Sequence, residues 1–211
     1  MIRLTRYNKL LPLVVAEHGV DHKQYAAALN NLALVYHAQG RYDLAEETYK
    51  HALEIDRRTI GESNKEFATH LNNLAGVYCA QGRYDLAETT YKRAIEIDRR
   101  TIGEDNPDFA ARLNGLALVY YAQRRHDLAE ETSKQARDID RRTIGADHPS
   151  FAIYLNNLAG VYMKTDRYPE AVPLLEQALV IFTDRFPAGH PNIKNVQDGL
   201  DICRAKLAVA D

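Results

Sequence analysis

The chain has 211 residues, 45% hydrophobic and 27% charged, with 27 Lys and Arg set against 29 Asp and Glu. So even a balance supplies neither the basic coat of a nucleic-acid binder nor an acidic tail. The two cysteines, Cys79 and Cys203, are far apart and form no CxxC pair, which argues against a disulfide scaffold and for a reducing, cytoplasmic setting.

At the N-terminus the run Leu10–Ala16 leads into Glu17 and His18 rather than a cleavage site. No stretch of 18 apolar residues occurs, so neither a secretory leader nor a membrane span is expected. The dominant feature starts at Leu29. The 42 residues Leu29–His70 recur as Leu71–Arg112 with identity at 32 positions, and weaker copies begin at Leu113 and Leu155. A fixed period of this length specifies a stacked repeat array, and no Pro/Gly/Ser-rich linker interrupts it.

The second copy shows the grammar of one repeat. Asn64 and Asn106-Pro107 are helix-start signals, since Asn caps free N–H groups and Pro needs no donor in the first turn. Ala68, Leu71, Leu74, Ala75 and Tyr78 recur three and four apart, the apolar stripe of a first helix, A. Gln81-Gly82-Arg83 breaks it, and Tyr84, Ala87, Tyr91, Ala94, Ile95 and Ile97 give a second stripe, helix B. So short a connection makes A and B antiparallel neighbours. Small Ala75, Ala87 and Ala94 suit close helix approach, and Tyr78, Tyr84 and Tyr91 fill the space around them.

The period also places the ends. Tyr7, Leu10 and Leu13 fall where Tyr49, Ala52 and Ile55 stand, so residues 3–17 read as an unpaired helix B. His190-Pro191 repeats His148-Pro149, and residues 191–208 read as a lone helix A with polar Asp198, Asp201, Arg204 and Lys206, a solvent-facing cap. The expected organisation is one all-α array over 1–211 with repeats at 24–59, 65–101, 107–143 and 149–184, about ten helices in all.

The pattern Leu32…Tyr36…Gly40…Tyr42…Ala45…Ala52 resembles the tetratricopeptide repeat. The 42-residue spacing, the LNNLA opening and the linker before His/Asn-Pro are similar to the longer variant of kinesin light chains and related bacterial and archaeal proteins. The resemblance implies a right-handed superhelical solenoid whose concave face, lined by A helices, accepts peptides or partner domains. Carried over by position, that groove includes Asn30, Asn72, Asn114 and Asn156. The third repeat departs from the pattern, with Gly115 in place of a second Asn. No row of groove lysines and arginines is present, which argues against a clamp for a terminal carboxylate.

Helical geometry fits the carry-over. Leu29, Leu32, Ala33 and Tyr36 form the core stripe, leaving Asn30, Leu34 and His37 on an adjoining face. An asparagine ladder can pair with any peptide backbone, or it can bond between repeats and hold their register. The second asparagines, Asn31, Asn73 and Asn157, suit the bracing role better. Further along the face Leu34, Gly76, Leu118 and Gly160 alternate large and absent side chains, either to open a pocket or to let helices pack closely. His37, Cys79, Tyr121 and Met163 follow, with Tyr121 and Met163 the best apolar contacts for a ligand.

The runs Asp56-Arg57-Arg58, Asp98-Arg99-Arg100 and Asp140-Arg141-Arg142 read as charge complementing helix C-termini rather than a phosphate-binding ridge. Glu46-Glu47 and Glu130-Glu131 read as helix-surface carboxylates. His22, His148 and His190 recur in equivalent linkers, where even successive repeats set matching atoms about 10 Å apart, the spacing of packed helices and too far for one metal ion; helix-start geometry is their expected role. No phosphate loop occurs, and Cys79 has no catalytic pattern around it. The reading is a non-catalytic protein-interaction scaffold without cofactor or metal, binding a peptide or partner helix and neither nucleic acid nor membrane. The alternative is a self-assembly unit that forms a homodimer through the apolar end carrying Leu4, Leu10, Leu11, Leu13, Val14 and Val15.

Overall fold

Every repeat begins where a side chain satisfies the free N–H groups of a helix start. Asn64 Oδ1 accepts from the Phe67 amide at 2.9 Å, and Asn106 Oδ1 from the Asp108 amide at 2.8 Å. His22, His148 and His190 do the same through Nδ1, accepting from Gln24 at 3.3 Å, Ser150 at 3.2 Å and Asn192 at 3.2 Å. The linker histidines therefore serve helix starts, as their placement implied.

The computed structural model describes residues 11–210. Residues 11–18 are helical (α1); positions 3–10 of the expected N-terminal helix, with Leu4 and Leu10, lie outside the described residues. Then follow α2 (Lys23–Ala38), α3 (Tyr42–Thr59), α4 (Lys65–Ala80), α5 (Tyr84–Thr101), α6 (Pro107–Ala122), α7 (His126–Thr143), α8 (Pro149–Lys164), α9 (Tyr168–Arg185) and α10 (Pro191–Ala210). The architecture is all-α, in antiparallel pairs. Even-numbered helices are A-type, odd-numbered ones B-type.

The chain forms two compact units, Met1–Gly103 and Glu104–Asp211. In the first, α2 packs on α3, α3 on α4 and α4 on α5; in the second, α6 to α10 pack in the same sequential way. Each A–B turn is closed by a left-handed residue. Gly82 adopts φ +72°, and the Arg83 amide then reaches back to the Tyr78 carbonyl at 2.8 Å. In the second unit Arg124 (φ 60°) and Asp166 (φ 56°) hold that conformation without glycine.

The alanines predicted at close approaches, Ala75, Ala87 and Ala94, are all fully buried. In α10 the buried residues are Ile193, Val196, Leu200 and Cys203. The positions that in α8 are Ala152, Leu155, Ala159 and Tyr162 are in α10 Lys194, Gln197, Asp201 and Arg204, all exposed. The face that in α8 receives helix B is thus polar in α10.

Two features correct the sequence reading. The Asp of each Asp-Arg-Arg run is not part of a surface charge pattern: Asp56, Asp98 and Asp140 are 0–1% exposed. Their carbonyls accept from two loop amides each, as Ile60 and Gly61 do to Asp56 at 2.8 and 2.9 Å, so the residue is pinned where helix B ends. Fourteen residues on from each stands another buried side chain: His70, Arg112 and Tyr154. In the first unit His70 Nδ1 lies 2.6 Å from Asp56 Oδ2. In the last layer the same two positions are Phe182 and Val196, buried in one apolar cluster.

Glu46 and Glu130, likewise, are not free surface carboxylates. Glu46 Oε2 takes a 2.5 Å bond from Arg83 Nη1, and Arg83 stacks 4.7 Å over Tyr78. In the second unit Arg167 bonds Glu130 at 2.5 Å and stacks 4.3 Å over Tyr162. Each clamp ties helix B of one repeat to helix A of the next. Burial works against the Glu46 charge, yet hydrogen bonds from Lys50, Arg83 and Gln81 outweigh it and hold the carboxyl below its ordinary range. Glu47 and Glu131 remain exposed.

Replacing His70 by Val strands Asp56 in the core and should lower the unfolding free energy by about 3 kcal/mol. Adding Asp56→Leu, which imitates the apolar pair of the last layer, should recover most of that loss in urea denaturation. A double variant no more stable than His70→Val would refute this account of the layer.

Candidate interaction surface

Packing consumes most of each A helix and leaves one outward face. Along α2 it carries Ala27, Asn30, Asn31, Leu34 and Ala38; along α4, Thr69, Asn72, Asn73, Gly76 and Ala80. The second unit repeats it with Ala111, Asn114, Gly115, Leu118 and Ala122 on α6 and Ile153, Asn156, Asn157, Gly160 and Lys164 on α8. All are exposed or half-buried, and beyond the first turn, where Glu66 and Asp108 are exposed on the same face, only Lys164 is charged, in a chain 27% charged. An uncharged exposed strip of amides and small apolar groups is suited to a ligand that brings little charge of its own.

In the first unit the asparagines form a head-to-tail relay. Asn72 Nδ2 donates to Asn73 Oδ1 at 3.2 Å, Asn73 Nδ2 to Asn30 Oδ1 at 2.9 Å, and Asn30 Nδ2 to Asn31 Oδ1 at 3.4 Å. Its step from α4 to α2 braces neighbouring repeats, the role the sequence suggested for Asn73. In the second unit Asn157 Nδ2 donates to Asn114 Oδ1 at 2.9 Å. There the relay is shorter, because Gly115 has no amide to extend it. Asn156 is half-buried and, among the described residues, makes no side-chain hydrogen bond.

The glycines in the row do not serve close packing. A Cβ on Gly160 would meet nothing within 4 Å, and one on Gly76 would meet only the Tyr91 hydroxyl at 3.9 Å. They leave open space, while the matching Leu34 and Leu118 are 43% and 45% exposed. Each unit thus sets one exposed leucine on its first A helix and bare backbone at the same position on its second.

The last row is mixed. His37 is half-buried, its ring 5.5 Å from Tyr42, and Tyr121 pairs edge-on with His126 at 6.1 Å. Met163 packs against the core of the second unit, toward Gly199 of α10, so part of its surface is already covered. Cys79 hydrogen-bonds with Tyr91, and burial pushes its thiol up to about 11, the reverse of a reactive thiolate. The link between Cys79 and Tyr91 left no mark in the sequence, because it joins the A-helix row to helix B.

Among the described residues no group of three or more His, Cys, Asp or Glu side chains is placed to hold a metal ion. None of the described helices is long and apolar enough to cross a membrane.

Asn73→Ala should cost about 1 kcal/mol, because it removes the bond to Asn30 and leaves two amides short of partners. Asn31→Ala, at the exposed end of the relay, should stay within about 0.5 kcal/mol of the parent. Urea denaturation of the two variants checks the order; equal losses would deny the relay its bracing role.

The tetratricopeptide repeat model matches residues 4–58, 66–142 and 108–184. None of the curated proteins matches the chain. Among solved structures, the chain is similar to a Podosopora anserina protein assigned to the kinesin light chains and built of nearly identical TPR-like repeats, at 24% identity and TM-score 0.74, covering 89% of each chain. A point variant of that protein aligns at 25% identity and TM-score 0.74, over 89% of this chain and 88% of that one. BtubC (BKLC) from P. vanneervenii aligns at 19% identity and TM-score 0.75, over 99% of this chain and 90% of that one. The chain belongs to the tetratricopeptide repeat family, a fold that serves generally as a non-catalytic scaffold for protein–protein interaction.

Proposed function

We propose that the A-helix face of each unit is a docking surface for an extended, weakly charged segment of a partner protein. The observation that carries this reading is the near absence of charge along that face beyond its first turn. Exposed positions in this chain are otherwise rich in Asp, Glu, Lys and Arg, and packing gives no reason to exclude charge from an outward strip.

The chemistry of recognition divides in two. Asn72 and Asn156, with Asn30 and Asn114 beside them, offer carboxamides that pair with peptide C=O and N–H groups whatever the ligand side chains. Leu34 and Leu118 supply apolar anchors beside the open backbone of Gly76 and Gly160, and His37, Tyr121 and Met163 border the strip. Because the helices are fixed by their packing, the protein side loses little freedom on binding. The repeat spacing that resembles kinesin light chains is in keeping with a peptide ligand and a cytoplasmic setting.

A second reading, self-association, rests on Leu13 and Val20, which are 65% and 52% exposed beside the first hairpin. Homodimerisation through that end leaves the A-helix faces available, so the two readings are separable.

Peptides selected from a random displayed library against the whole chain provide the ligand for a test. Their affinity should fall at least tenfold in the set Leu34→Asp, Asn72→Ala, Leu118→Asp, Asn156→Ala, with light scattering showing an unchanged mass. Retained affinity would sink the docking assignment. A mass that doubles with concentration and reverts in Leu13→Asp would support self-association, and one that does not would dismiss it.

A further inference from the structure

We propose that the α7–α8 joint of the second unit is a pH-responsive hinge, tight while the Asp140 carboxyl is neutral and loosened when it ionises. The geometry sets this joint apart from its counterpart. In the first unit Asp56 has His70 Nδ1 at 2.6 Å. In the second, Asp140 is as deeply buried, 1% exposed, yet neither of its carboxyl oxygens has a hydrogen-bond partner among the described residues. The residue in the place of His70 is Tyr154, 5% exposed, whose phenol brings no positive charge.

The surrounding groups do not make good the deficit. From α8 and its lead-in come Tyr154 and His148, but His148 Nδ1 is already accepting from the Ser150 amide at 3.2 Å. From α6 comes Asp108, whose charge also acts on Tyr154. Arg185 at the end of α9 lines, with His148 and Asp147, a cavity of about 530 Å³ beside the joint. Burial pushes the Asp140 carboxyl up to about 6, with His148 pulling weakly the other way.

A carboxyl raised in the folded state binds its proton more tightly there than in the unfolded chain. Its contribution is fully present below the ordinary carboxylate value and is lost as pH rises through about 6. At neutral pH the joint therefore holds an ionised acid without a counter-group, opposite in sense to ordinary acid denaturation. The helix that responds is α8, which carries Asn156, Asn157 and Gly160; any effect on ligand binding rests on the docking surface proposed above, whereas the hinge does not.

The test is a carboxyl NMR titration of Asp140 in the whole chain, paired with amide exchange of residues 149–164 at pH 5 and pH 7.5, corrected for intrinsic exchange. We expect a midpoint near 6 and protection in α8 that falls by up to about a hundredfold between the two pH values. Asp140→Asn should flatten the dependence, and Tyr154→His, which copies the first unit, should restore protection at pH 7.5. A midpoint near the ordinary carboxylate value, or the same pH dependence in Asp140→Asn, would overturn the hinge. Both readouts are independent of peptide binding, so a failed docking surface leaves this result intact.

Discussion

No helix in this chain can bury its apolar stripe alone, and the rest of the structure is a response to that constraint. A B helix must satisfy its own partner and the A helix of the next repeat, so nearly all of its inward positions are fixed by volume: alanine where axes approach, tyrosine where space opens. Stability is then a sum of neighbour terms rather than the property of one core. Function is confined to positions that neither contact requires. The outward strip of the A helices is one such set, and its low charge beyond the first turn is informative because packing did not dictate it.

Polar groups at the joints refine this picture. The layer where helix B ends is apolar at Phe182 and Val196 and carries a buried acid at three earlier positions. A buried acid adds little stability over an apolar pair, and in some proteins such groups are kept for the partner specificity they give. The Arg83–Glu46 and Arg167–Glu130 clamps serve the same end with better compensation, each guanidinium covered by a tyrosine ring.

Much of this was legible in the sequence, for a definite reason. A helix start such as Asn64 or Asn106-Pro107 and a stripe such as Leu71, Leu74, Ala75 and Tyr78 are local signals, repeated four times, so the all-α pairing followed from counting. What escaped was set by contact across repeats. Asp56 in a run with Arg57 and Arg58 looks like surface charge, and only the packing of α4 shows that the aspartate turns inward while the arginines stay out. Glu46 and Glu47 are indistinguishable as letters, yet one is clamped by Arg83 and the other solvated. At the site, the sequence offered two roles for the asparagines. The relay through Asn73 and Asn30 shows the bracing role within a unit, while affinity for a ligand is a property of a complex that no single chain encodes.

The polar face of α10 has a consequence for assembly. An A helix that kept Ala, Leu and Tyr where α10 has Lys194, Gln197, Asp201 and Arg204 would present the same socket that every internal B helix fills. A B-type helix of another chain could then enter that socket, head to tail, and leave an identical socket beyond it. Such contacts do not close, and they propagate into fibres. Four polar side chains on α10 make that face a poor socket for a further B-type helix, whatever chain supplies it.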